Sequence, residues 1–133
     1  MTTKPETANR ITANILRIVN LQPSCCAARI NTVGVWDAAK GVHRKGGSTK
    51  GVEDIICIVM GRYVGIEVKA GKDRQSEDQK KRQFEVERAG GIYLLVRSTD
   101  DFIEQFNRLM AQRFKKWENW LKKIYLMGMN LLQ

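Results

Sequence analysis

The stretch that decides the fold is "EDIICIVMGRYVGIEVKAGKDRQSEDQ", Glu53 to Gln79. Two apolar runs, 52–60 and 62–70, flank Gly61, so the stretch reads as two strands joined by a tight turn. Side chains on a strand alternate between faces. Ile66, Val68 and Ala70 therefore share one face, directed into the core, and Glu67 and Lys69 share the other. A hairpin through Gly61 also sets Asp54 roughly opposite position 67 or 68. Asp54, Glu67 and Lys69 then gather at one end of a sheet.

Two carboxylates that close repel each other unless positive charge stands between them. Lys69 supplies some. A hard divalent cation supplies more, and Mg²⁺ typically needs only one or two carboxylates, completing its shell with water and substrate phosphate. The Val68 carbonyl is a further oxygen within the same segment. Such a set suits hydrolysis of a phosphodiester: the ion activates a water and polarises the phosphoryl oxygen. Lys69 would position that water or stabilise developing charge. A bare Glu-x-Lys on a strand is more often a cross-strand salt bridge on a solvated face. Three features weigh against that simpler reading. They are the Gly51-x-x-Asp54 turn, the Asp54 to Glu67 separation across a hairpin, and the helix that opens around Gln79.

Outward from this stretch the pattern is readable. Residues 5–20 have helical apolar spacing through Ile11, Ile15, Leu16, Ile18 and Val19, with Pro5 in the first turn and Pro23 as a stop. Residues 29–37 look extended, and 38–51, rich in Gly and Lys, read as a mobile basic loop. A helix is predicted over 76–91, from a Ser76 N-cap to Gly90-Gly91. A buried strand follows over 92–96, and a last helix opens at Ser98 or Thr99. The order is helix, three strands, helix, strand, helix: an α/β or α+β single domain with a mixed central sheet flanked by helices.

The chain has 133 residues, enough for one core. It has no segment of membrane-spanning apolar length, and "MTTKPETANR" lacks the apolar region of a secretory signal. Cys25, Cys26 and Cys57 suggest neither a disulfide framework nor, with His43 the one histidine, a zinc site. They are most simply small buried hydrophobes. A reducing, cytoplasmic setting is expected, with no small-molecule cofactor. A net charge of +9 favours a polyanionic partner, of which nucleic acid is the commonest. Lys40, Arg44, Lys45 and Lys50 in the basic loop, and Lys72 after the second strand, are candidate DNA-backbone contacts. Each could equally be a solvated side chain, and a single histidine such as His43 in a loop is most often just solvated.

The segment 50–102 resembles the VRR-Nuc family, a branch of the PD-(D/E)xK nuclease superfamily. The matching residues are Gly51-Val52-Glu53-Asp54, Glu67-Val68-Lys69, Ser76-Glu77-Asp78-Gln79 and Gly91 through Ser98. Glu53 stands where the family usually has Pro, which leaves open whether Glu53 also reaches the site. The resemblance implies a restriction-endonuclease-like fold and a Mg²⁺-dependent DNA endonuclease, with Mn²⁺ as a substitute. It makes Asp54 and Glu67 metal ligands and Lys69 the catalytic lysine. It sets Gln79 at the site's edge, although Ser76-x-x-Gln79 is also a capping box. Family members often carry a further acid on the first helix, where Glu6 is the sole candidate; it could instead be a surface residue favoured by the helix dipole. Small stand-alone members resemble Holliday-junction resolvases, often from phage, so branched DNA and a bacterial or phage-infected cytoplasm are the implied substrate and setting. The competing class is a non-catalytic nucleic-acid-binding module.

On this reading residues 1–110 form the nuclease domain and 111–133 a basic amphipathic extension. Phe102, Phe106, Leu109, Met110, Phe114, Trp117, Leu121 and Ile124 form one apolar stripe along the C-terminal helix, whose first half is expected to pack on the sheet and whose second half is the extension. A homodimer contact is the expected use of the extension, ahead of DNA; membrane binding is not expected.

Overall fold

The computed structural model describes residues 4–30, 34–44 and 49–130. Its elements run α1 (Ala8–Asn20), β1 (Cys25–Arg29), β2 (Val35–Asp37), β3 (Val42–Arg44), β4 (Ile55–Val59), β5 (Arg62–Val68), α2 (Glu77–Arg88), β6 (Ile92–Val96) and α3 (Thr99–Asn130). Four strands form one sheet in the order β1-β4-β5-β6, and β2 and β3 form a separate hairpin. The sheet is mixed: β1–β4 and β4–β5 are antiparallel, and β5–β6 is parallel. Parallel neighbours need a crossover, and α2 supplies it.

The β4–β5 hairpin turns on Met60 and Gly61, both at positive φ (48° and 78°). That is the backbone a two-residue turn needs if its twist is to match the strands. The turn fixes the register Ile55↔Ile66, which places position 54 beside position 67. Ile55, Ile66, Val68 and Val96 are buried on one face of the sheet with Phe102. α1 runs against β1 and β5. Its Ile11, Ile15 and Val19, one turn apart, are fully buried.

α1 begins three residues later than its apolar spacing suggests. Thr7 caps it by accepting from Arg10 N–H, so Pro5 lies outside the first turn. α2 begins at the predicted Ser76 cap and ends in a Schellman motif, with Gly91 N–H on Val86 C=O and Gly90 N–H on Glu87 C=O. Gly90 has the left-handed φ of 87° that this motif requires.

Two strands are corrections to the sequence reading. "CCAAR" forms β1, the edge strand paired along β4 from Cys25↔Val59 to Arg29↔Ile55. Within the basic stretch 38–51, Val42–Arg44 form β3 against Val35–Asp37. The extended segment 29–37 is thus the end of β1 and all of β2, with 31–33 outside the described residues.

The chain divides into two compact units, Met1–Phe102 and Ile103–Gln133. The sheet, α1, α2 and the hairpin all belong to the first. The second is helical through Asn130, and no helix among the described residues is long and apolar enough to cross a membrane.

Candidate active site

The face of β5 that carries Glu67 is not solvated. α2 covers it, leaving Glu67 1% exposed and Lys69 8% exposed. A surface salt bridge is therefore excluded as the reason for this pair. Both charges are buried, which costs free energy unless partners or a function repay it.

Asp54 stands just before β4, opposite Glu67. Its Oδ2 accepts the Val68 backbone N–H at 2.8 Å. The N–H and C=O of one extended residue leave the same strand edge, so the Val68 carbonyl lies on the Asp54 side. Glu67 Oε1 is 3.3 Å from Lys69 Nζ and accepts from Gln79 Nε2. Glu67 Oε2 is buried and has no hydrogen-bond partner among the described residues. Lys69 is oriented by the sheet itself: its N–H donates to Val96 C=O at 2.8 Å, extending the β5–β6 ladder by one residue. Its ammonium also approaches Asp73 Oδ2, at 3.6 Å.

These contacts leave Glu67 electrostatically uncomfortable. Its carboxyl is pushed up to about 7, first by burial and second by the charge of Asp54, with Lys69 pulling the other way. One ammonium does not neutralise the pair. An orphaned carboxylate oxygen, a repelling carboxylate beside it and a nearby backbone carbonyl form a donor set that fits a hard divalent cation.

Gln79 caps α2 and also touches Glu67. Its Oε1 accepts Ser76 N–H at 2.8 Å and its own N–H donates to Ser76 Oγ at 3.2 Å, completing the capping box. Its remaining amide donor reaches Glu67. The helix start and the buried carboxylate are thereby one unit.

Glu53 turns away from this site. It is fully buried and pairs with Arg82 of α2, at 3.0 Å from Nε and 3.3 Å from the terminal nitrogen. Gly65 makes room for it: a Cβ there would lie 2.9 Å from Glu53 Oε1. Glu6 is also engaged elsewhere. It accepts from Thr99 N–H at 3.0 Å and Thr99 Oγ1 at 2.6 Å, joining the segment before α1 to the start of α3. Those hydrogen bonds hold its carboxyl below the usual range. Among the described residues no group of three or more His, Cys, Asp or Glu forms a metal-binding cluster, so Glu6 is not brought to Asp54 and Glu67.

In front of Asp54 and Gln79 opens a cavity of about 690 Å³, whose walls include His43, Arg44, Lys50 and Asp78. Its size lies within the range of ligand pockets. Glu67 does not line the cavity; it is hydrogen-bonded to Gln79, which does. Of the candidate DNA contacts, Arg44 and Lys50 line the cavity. Lys40 sits in the turn of the β2–β3 hairpin, and Lys72 is exposed in the loop after β5. Lys45 lies outside the described residues.

Gly51 shapes the cavity's floor. It has φ 71°, and a Cβ there would lie 2.3 Å from the Asp78 carbonyl. The loop leading to Asp54 is thus pressed against the first turn of α2. The hairpin, the Glu53–Arg82 pair and the role of Gly65 were not anticipated from sequence. For the hairpin there was a signal: Asp37 followed by Gly41, between Val35-Trp36 and Val42, is turn chemistry. No protein-family model and no curated protein sequence matches this chain.

Proposed function

We propose that this chain is a divalent-metal-dependent DNA endonuclease of the VRR-Nuc type, with a restriction-endonuclease-like core. The observation that carries the reading is the buried, unpartnered Glu67 Oε2, set beside Asp54 and Lys69. A nucleic-acid-binding module gains nothing from carboxylates held where phosphates arrive.

Asp54, Glu67 and the Val68 carbonyl would hold Mg²⁺ or Mn²⁺. When bound, the ion supplies Lewis acidity and a water of lowered pKa. The remaining work belongs to the chain. Val68 N–H fixes the Asp54 carboxylate, and Gln79 fixes that of Glu67. Lys69 brings a buried positive charge to where phosphate charge develops, in surroundings that strengthen it. Arg44 and Lys50 draw the DNA backbone into the cavity, helped by the net charge of +9.

Branched DNA such as a four-way junction is the proposed substrate, cut by a homodimer whose two-fold axis supplies two sites in matched orientation. The test is cleavage of labelled four-way junctions and linear duplex with Mg²⁺ or with EDTA. Cleavage is expected only with the metal, and Asp54→Asn and Glu67→Gln should abolish it while DNA binding persists. Full cleavage by either variant would remove the site assignment. Tight binding without cleavage under any metal would make the chain a binding module.

A further inference from the structure

The β2–β3 hairpin buries almost nothing. Val35, Trp36, Val42, His43 and Arg44 are all exposed, and only Asp37 is partly covered. Two three-residue strands contribute little stability by themselves, and this pair adds nothing to the core. Its register nevertheless sets Trp36 directly across from His43. Their rings meet edge-on, with centroids 5.2 Å apart and planes at 65°. Trp36 remains 55% exposed, and His43 and Arg44 line the same cavity as Asp54. Asp37 holds the hairpin's shape: its Oδ1 accepts Ala39 and Lys40 N–H at 3.1 and 3.2 Å, and its Oδ2 pairs with Arg44.

We propose that this hairpin reads an unpaired DNA base, stacking it on Trp36 beside His43 while Arg44 and Lys50 carry the adjoining phosphates toward Asp54. The proposal rests on the nuclease reading of that cavity and names the feature its substrate must present. An exposed indole is costly in water and useful to a flat apolar partner. Every base has such a face, so stacking is tolerant of sequence. In a duplex those faces are hidden in the stack. A basic hairpin that bears an exposed Trp therefore discriminates unpaired from paired DNA, which charge alone does not. Flaps, bubbles and opened junction arms offer the required base; an intact linear duplex does not.

Three tryptophans are present, and Trp117→Phe with Trp120→Phe leaves Trp36 as the one indole, excited selectively over the three tyrosines at the red edge of its absorption band. In EDTA, so that nothing is cleaved, short oligo(dT) should quench Trp36 emission and a blunt duplex should not. Trp36→Ala should weaken oligo(dT) binding about ten-fold, the loss of one stacked base, and leave duplex binding unchanged. Trp36→Phe should restore most of the loss. Unchanged Trp36 emission on saturation with oligo(dT) overturns the proposal, as does an equal loss of both ligands in Trp36→Ala. Quenching without metal-dependent cleavage of any DNA would retain the hairpin's role and remove the nuclease reading. Cleavage without quenching would do the reverse.

Discussion

Gln79 completes the cap of α2 with its side-chain oxygen and donates to Glu67 with its side-chain nitrogen. One residue therefore ties helix stability to the placement of the central carboxylate. Gln79→Ala should lose both. A loss of about 0.5–2 kcal/mol is expected from the cap. A fall in cleavage of about 10–100-fold is expected from the freed carboxylate, the usual effect of removing a group that orients a metal ligand. Gln79→Glu keeps an oxygen for Ser76 N–H but replaces the donor to Glu67 by a repelling charge. It should melt closer to the parent than the alanine variant does, and cleave no better. Melting temperature and turnover on the same samples check this. Unchanged turnover in Gln79→Ala would make the contact to Glu67 structural.

Glu67 also sets a pH dependence of stability. In the folded chain its carboxyl is raised from 4.5 to about 7, with burial the larger cause and Asp54 the next. Between those values the folded state holds a proton that the unfolded state has released. Stability from this group is then greatest below about pH 4.5, falls as pH rises through the window and levels off above about 7. Glu67→Gln removes that slope. In urea unfolding without divalent ions the variant should exceed the parent by about 1–3 kcal/mol at alkaline pH and converge with it in acid. Adding Mg²⁺ should stabilise the parent and not the variant. Parallel stability curves for the two proteins across pH would contradict the buried, repelled carboxylate.

The Glu53–Arg82 pair gives an ordered series. Arg82→Ala leaves a fully buried carboxylate without its cation and should cost about 3–5 kcal/mol. Gly65→Ala pushes a methyl against the same carboxylate, at 2.9 Å from Oε1 and 3.1 Å from two carbons. Arg82 prevents Glu53 from swinging aside, so a cost of about 1–3 kcal/mol is expected. Glu53→Gln, which removes the charge and keeps the volume, should be milder than Arg82→Ala. Denaturant midpoints decide the order. Arg82→Ala as stable as the parent would show that Glu53 finds water or another donor.

Much of this site was legible because it is local. Asp54, Gly61, Glu67 and Lys69 lie on one hairpin, where strand alternation and a two-residue turn fix their mutual placement. Ser76, Gln79 and the glycines at 90 and 91 announce the ends of α2 in the same way. β1 was hidden because Cys-Cys-Ala-Ala-Arg has neither alternation nor β-branched residues. Only its long-range register with β4, Cys25↔Val59, makes it a strand. Glu67's burial was also out of reach. Alternation assigns a side chain to a face but does not say that α2 will cover it. Whether Glu53 reaches the site was open in the sequence because it adjoins Asp54; neighbours on an extended chain face opposite ways, and Arg82 claims it. Gln79 posed a choice between cap and site that one dimension cannot resolve: a primary amide has an oxygen for one partner and a nitrogen for the other.

The second unit carries the last prediction. Phe114, Trp117, Leu121 and Ile124 recur at spacings of three and four, the pattern of a helix seam. They are 53%, 49%, 40% and 45% exposed, and Trp120, Tyr125 and Leu126 add 56%, 69% and 60%. So much apolar surface on one helix calls for a cover. On the proposed junction-cleaving function a second copy of this helix is the expected occupant: one chain holds one Asp54/Glu67/Lys69 set, whereas paired cuts in a two-fold-symmetric junction need two. Light scattering on the full chain at micromolar concentration, without DNA, should give a dimer. Truncation after Met110 should give a monomer that retains the sheet and its hairpin, and it should nick one strand of a junction where the full chain cuts both. A full-length monomer would refute the dimer, and the seam would then have to meet DNA or another protein.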